Sequence, residues 1–315
     1  MSVATNCGVT GWRLRYIPWT VLAILALGCA GFGQRILREI AGDTAGDGFG
    51  NSVAVIGDAD GDGSVDVLVG APEADVPVAN AGYARLYRGL DGAVLRTWRG
   101  SRIDERLGTS VLAAGDVNRD GLADLLVSTA TTVEVVAGGS WRTVYSFTRP
   151  GAVAGGQDVD GDGHDDILLG DPPATATVRG RAILRSGRTG AVLRTIASPT
   201  VGDIFGHAVA LLGDLNRDGA CEFLVTSLDR TSLRDSAYVF DGKTGARLQT
   251  HQGKRTISQF GDRCARLGDL DGDGVLDYGI AEPRNIGPLG PGNAQIYSGA
   301  TQRLLRSVDG AATPV

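Results

Sequence analysis

With 315 residues, the chain has room for one large domain or two ordinary ones. Its 48 glycines, single methionine and 6% aromatic content suit many short strands and tight turns and argue against a helical bundle. A net charge of −6 argues against nucleic acid and against an anionic membrane surface as partners.

The N-terminus reads as an export leader. Arg13 and Arg15 form a positive lead, Ile17 to Ala30 is a nearly unbroken apolar run, and Gly28 and Ala30 offer a cleavage point before Gly31. The run is shorter than the roughly 20 residues of a full membrane span. Residues 1–33 are therefore expected to be a signal peptide, with an uncleaved membrane anchor as the alternative. Acylation at Cys29 is a third reading, weakened by the missing leucine three residues before it. Any membrane contact is expected through this segment alone.

Gln34 to Gly42 (QRILREIAG) closely matches Gln302 to Gly310 (QRLLRSVDG) and predicts a strand of the last-in-unit type without a unit of its own. From Phe49 onward one unit recurs five times, which favours a single repeat domain over residues 34–315. Each unit is marked by an acidic nonapeptide: at Asp58 (DADGDGSVD), Asp116 (DVNRDGLAD), Asp158 (DVDGDGHDD), Asp214 (DLNRDGACE) and Asp269 (DLDGDGVLD), at intervals of 58, 42, 56 and 55 residues. Before it comes FGNSVAVIG (from Phe49), LGTSVLAAG (Leu107), FGHAVALLG (Phe205) or FGDRCARLG (Phe260); the third unit is degenerate here. After it comes DVLVGAP, DLLVSTA, DILLGDP, EFLVTSL or DYGIAEP.

Two further strand-like pieces close each unit. The first set is ARLYRG (Ala84), VEVVAG (Val133), RAILRSG (Arg181), SAYVFDG (Ser236) and AQIYSG (Ala294). The second set is AVLRTW (Ala93), RTVYSF (Arg142), AVLRTI (Ala191), ARLQTH (Ala246) and QRLLRS (Gln302). Turn chemistry such as Asp91-Gly92 and Thr189-Gly190 joins them in several units. No segment after residue 40 sustains a helical apolar period. The expected fold class is all-β, and four short strands per unit make the blade of a β-propeller. Five blades are expected, either as a five-bladed ring with the N-terminal strand as a clasp or as an incomplete larger ring.

The nonapeptides carry oxygen donors at positions 1, 3, 5 and 9 and glycine at position 6, where the chain must turn back. Those four positions hold 18 of the 36 acidic residues, half of the total. Carboxylates a few ångströms apart repel by about 1 kcal/mol or more per pair even in water, which a cation relieves. Oxygen-only ligands point to Ca²⁺ rather than a transition metal, and a multi-carboxylate cage suits Ca²⁺ better than Mg²⁺. An EF-hand is excluded, because position 12 is Val69, Val127, Leu169, Val225 or Ile280 rather than glutamate.

Phe-Gly, then DxDGDGxxD, then Gly-Ala-Pro resembles the FG-GAP repeat of the integrin α-subunit N-terminal β-propeller and of many bacterial exported proteins. Phe49-Gly50, Asp58 to Asp66 and Gly70-Ala71-Pro72 match the whole pattern, and the likeness extends over residues 49–315. Gly-Ala-Pro becomes Ser128-Thr129-Ala130 in unit two and Thr226-Ser227-Leu228 in unit four. Nothing resembles the rest of an integrin subunit. The resemblance implies up to five Ca²⁺, each in the loop between a blade's first two strands, with side-chain ligands at positions 1, 3, 5 and 9 and a backbone carbonyl at 7. Those positions are Asp58, Asp60, Asp62, Asp66 with Ser64; Asp116, Asn118, Asp120, Asp124 with Leu122; and Asp158, Asp160, Asp162, Asp166 with His164. In the last two units they are Asp214, Asn216, Asp218, Glu222 with Ala220, and Asp269, Asp271, Asp273, Asp277 with Val275. The two Asn-Arg-Asp loops carry one charge less and are expected to bind more weakly, with Arg119 and Arg217 partly replacing the ion.

Catalysis is not expected at carboxylates committed to a structural cation and repeated five times. His164, His207 and His251 read as scaffold or surface residues, and Trp98 and Trp141 as packing between blades. No nucleophile elbow, P-loop or dinucleotide fingerprint is present. Cys221 and Cys264 read as free thiols, although an exported location permits their pairing. The expected function is an exported binding or adhesion module for an extracellular protein or glycan. A polysaccharide-acting enzyme and a purely structural envelope protein are the alternatives.

Overall fold

The computed structural model describes residues 11–15, 36–148, 151–229, 235–253, 259–283 and 292–310. The apolar run, the cleavage point and Cys29 of the expected leader lie outside them.

The described residues form strands and no helix, so among them no helix long and apolar enough to cross a membrane occurs. Twenty of the strands make five four-stranded antiparallel sheets, each a meander in which chain neighbours are sheet neighbours. The first sheet comprises Ser52–Val55, Val67–Ala71, Tyr83–Tyr87 and Val94–Arg99; the second Ser110–Gly115, Asp124–Ser128, Thr132–Val136 and Thr143–Thr148. The third comprises Val153–Gln157, Asp166–Asp171, Arg181–Arg185 and Val192–Ala197. Ile204–Gly213, Glu222–Leu228, Ser236–Phe240 and Arg247–Gln252 make the fourth, and Cys264–Arg266, Tyr278–Glu282, Asn293–Tyr297 and Leu304–Asp309 the fifth. Every unit of the sequence is thus one four-stranded blade, as a β-propeller requires. The Gln34–Gly42 stretch supplies one more strand, Ile36–Ala41, whose partner is Gly11–Arg15 in a two-stranded parallel sheet.

Two compact units divide the chain: residues 1–111 with 127–130, and residues 112–126 with 131–315. Burial follows strand order. The second strands of the first four blades are almost wholly buried, as their continuous apolar runs demand of a sheet covered on both faces. The fourth strands alternate or lie exposed. Within the larger unit, apolar clusters join the faces of successive sheets. Leu126, Val133 and Val135 pack with Val153, Ile167 and Leu169. Leu168 and Leu184 pack with Phe205, Phe223 and Phe240, and Leu224 and Val239 with Tyr278 and Tyr297.

The Phe-Gly and Gly-Ala-Pro elements meet physically. Phe49, Phe205 and Phe260 are fully buried anchors. The glycine after each lies in the left-handed region, at φ 86°, 86° and 90° for Gly50, Gly206 and Gly261. The carbonyls of Gly206 and of Gly108, which follows Leu107, press on the glycine two residues before the preceding blade's proline. A Cβ on Gly170 would stand 2.1 Å from the Gly206 carbonyl oxygen, and one on Gly70 would stand 2.0 Å from that of Gly108. Cys221 and Cys264 are free.

Because the obstacle is backbone, Gly170→Ala is expected to destabilise by about 1–3 kcal/mol or more, measured as a lowered midpoint in urea unfolding.

Candidate metal centres

Each acidic loop is wound around its first aspartate. In loop one, Asp58 Oδ1 accepts the N–H of Gly61 at 2.7 Å and of Asp62 at 3.1 Å, and Oδ2 accepts that of Gly63 at 2.8 Å. Asp60 Oδ1 accepts the Asp62 N–H and Asp62 Oδ1 the Ser64 N–H. The pattern recurs at Asp158 and Asp269, and around Asp116 and Asp214. Two residues must take positive φ: position 6, a glycine at 84–86° in all five loops, and position 4, which is Gly61, Gly161 or Gly272 but Arg119 and Arg217 at 62° in loops two and four.

The carboxylates held by these bonds also converge. One oxygen each from Asp58, Asp60 and Asp62 lie within 4.8 Å of one another, as do those of Asp158, Asp160 and Asp166 and of Asp269, Asp271 and Asp273. All donors are oxygen and mostly solvent-facing, a set fit for a hard cation. Among the described residues no triad of acids forms in the Asn-Arg-Asp loops, whose position 3 is an amide. There Asn118 and Asn216 accept a position-5 N–H through Oδ1 and donate through Nδ2, Asn118 to Asp120 at 2.9 Å and Asn216 to Glu222 at 3.1 Å and Asp241 at 3.2 Å. In loop one, Arg88 Nε stands 2.8 Å from Asp60 and 3.4 Å from Asp62.

Position 9 differs from the other acids. Asp66, Asp124, Asp166, Glu222 and Asp277 are all 0% exposed. One oxygen accepts the N–H of position 2: Ala59 at 3.0 Å, Val117 at 2.8 Å, Val159 at 2.8 Å, Leu215 at 2.6 Å and Leu270 at 2.7 Å. In four loops the second oxygen accepts the N–H of a glycine just past the third strand: Gly89, Gly138, Gly187 and Gly299, at 2.8–3.0 Å. Gly89, Gly187 and Gly299 have no room for a Cβ, which at Gly187 would sit 1.9 Å from the Asp165 carbonyl oxygen. Burial pushes Asp66, Asp124, Asp166 and Glu222 up, Asp124 to about 6 and Asp166 and Glu222 to about 7, against the pull of the N–H donors. Only Asp166 of the five joins an acid triad. The glycine after the third strand is a site residue that the nonapeptides alone do not reveal. Its signal is its recurrence in register in all five units. The position-7 residues Ser64, Leu122, His164, Ala220 and Val275 each donate their N–H to the position-5 carboxylate.

The histidines are held by protein. His164 Nδ1 lies 2.7 Å from the Val117 carbonyl and His207 Nε2 3.3 Å from Asp262. His251 is buried, with Nε2 2.8 Å from the Tyr278 hydroxyl and its ring 4.0 Å from that of Tyr297. Trp98 and Trp141 are half-buried.

Asp166→Asn would set an amide donor against a buried N–H and is expected to cost about 1–3 kcal/mol, measured by chemical denaturation in chelator so that cation binding is silent. Burial lowers His251 to about 4. Its folded value lies below the unfolded value of about 6.5, so the unfolded chain takes the proton first. The stability contributed by the neutral ring is complete above about pH 6.5 and is lost as pH falls toward 4. The wild type should therefore lose on the order of 3 kcal/mol relative to His251→Gln between pH 7 and 4, in paired urea titrations.

The FG-GAP repeat family pattern matches residues 49–87. Among curated proteins, integrin alpha-5 of Xenopus laevis is 27% identical over 80% of this chain and 21% of its own length. Integrin alpha-2 of Mus musculus is 27% identical over 74% and 17%, and integrin alpha-7 of Homo sapiens 30% over 69% and 20%. The chain spans about a fifth of the length of these relatives. Among solved structures, the V. cholerae biofilm matrix protein Bap1 superposes with a TM-score of 0.47 at 18% identity, over 82% of this chain and 38% of that one. This chain carries an FG-GAP repeat in its first blade and, over most of its length, resembles the integrin α-subunits.

Proposed function

We propose that this chain is an exported, calcium-stabilised propeller module that binds an extracellular protein or glycan and performs no chemistry of its own. The observation that carries the calcium reading is an oxygen-only acid triad in the corresponding loop of blades one, three and five, drawn from positions 1, 3 and 5 in blades one and five and from positions 1, 3 and 9 in blade three. A Ca²⁺ there would neutralise converging carboxylates on exposed loops, so its binding energy would add to folding energy. Resemblance to integrin α-subunits supports an extracellular adhesive role, and the leader-like residues 1–33 support export, by secretion or with an envelope anchor. The non-enzymatic reading rests on the repetition of the acidic sites and on histidines engaged in scaffold contacts.

Stripping the chain with a calcium chelator should lower its melting temperature, and restoring Ca²⁺, but not Na⁺ of equal ionic strength, should recover it. At 100-fold excess over Kd each site contributes about 2.7 kcal/mol. An unchanged melt overturns the calcium reading. The binding role is tested on glycan and matrix-protein panels with Ca²⁺ and with chelator; capture by neither panel in Ca²⁺ counts against it.

A further inference from the structure

The two Asn-Arg-Asp loops share three features that set them apart. Both turn their asparagine amide nitrogen toward a carboxylate, where a cation would require an oxygen. Both place arginine at position 4 in the left-handed region, at the same φ of 62°, where the other loops have glycine. A long side chain is disfavoured there, so its recurrence calls for a compensating contact.

The contact is on the following loop. Arg217 Nη2 donates to the Asp273 carbonyl of loop five at 3.1 Å. Arg119 lays its guanidinium over Gly163 of loop three, where an added Cβ would stand 2.9 Å from Cζ. A Cβ on Gly274 of loop five would likewise face Arg217 Nη2 at 3.4 Å. The equivalent glycines of the other loops, Gly63, Gly121 and Gly219, would meet nothing within 4 Å. So the position-6 glycines that receive a guanidinium are those of the two full-acid loops that follow an arginine-bearing loop. Arg217 thus donates to a backbone carbonyl and Arg119 stacks over a glycine, and among the described residues neither forms an ion pair with a carboxylate of loop three or five. Loops two and three are tied a second time, the Asp116 N–H donating to Asp165 Oδ2 at 2.8 Å.

We propose that the Asn-Arg-Asp loops are latches and not cation sites: Arg119 and Arg217 fasten each to the loop of the next blade, and the chain takes up three Ca²⁺, in loops one, three and five. This rests on reading the full-acid loops as calcium sites. A tethered guanidinium adds a fixed positive charge beside an anionic loop without competing for its ligands, and glycine at position 6 of the receiving loop leaves room for it.

The test is the number of Ca²⁺ bound per full-length chain, by equilibrium dialysis and atomic emission. Three supports the proposal. Any other count overturns it: four or five would leave the calcium reading standing, whereas zero would remove both. Restoring the full-acid motif in loop two with N118D and R119G together should raise the count to four, and a count still at three overturns the assignment of exclusion to these residues. Glycine suits a φ of 62° better than arginine, so without a latch R217G in Ca²⁺ would melt at the same temperature or higher. The latch predicts a fall of about 2–4 °C; an equal or higher melting temperature overturns it.

Discussion

The acid at position 9 of each loop is the constraint on which the blades depend. It is removed from water, and both its oxygens are needed: one for the amide that opens the acidic loop, the other, in four blades, for the amide that follows the third strand. A buried carboxylate is costly unless hydrogen-bonded, and these bonds provide that compensation. They also fix three things at once: where the second strand begins, where the loop starts its turn, and how closely the third strand ends against it. The loop is braced by the protein alone, and most of its remaining acids are presented outward on that support.

The acids of one nonapeptide therefore divide by burial into two jobs. Those facing solvent repel one another and are suited to a counterion. The one facing the core organises the polypeptide. The loops differ in how their charge is met: acid oxygens converge in loops three and five, the side-chain amide of Asn118 or Asn216 meets a carboxylate in loops two and four, and in loop one Arg88 lies on two of the carboxylates.

The blades were legible because their strands are short, aliphatic and separated by glycine and aspartate, and each of the four pieces per unit became a strand. The separate role of position 9 was not, since aspartate looks the same at positions 1, 3, 5 and 9 and only packing distinguishes them. Arg119 and Arg217 were expected to act within their own loops. Their contacts lie on the next blade, a relation that local spacing does not encode. The likeness of Gln34–Gly42 to Gln302–Gly310 correctly indicated a strand, but strand partners are chosen by tertiary context, and Ile36–Ala41 lies beside Gly11–Arg15.

The close approach of Gly170 to Gly206, and of Gly70 to Gly108, is made by main-chain atoms. Every amino acid supplies those atoms, so what the approach demands of the sequence is only that a side chain be missing. Neighbouring blades can then exchange nearly all their residues while keeping the same seating, provided a few glycines stay. A fold built this way tolerates wide drift in composition between its own repeats and between relatives. It is correspondingly brittle at a handful of positions where a single added methyl group has nowhere to go.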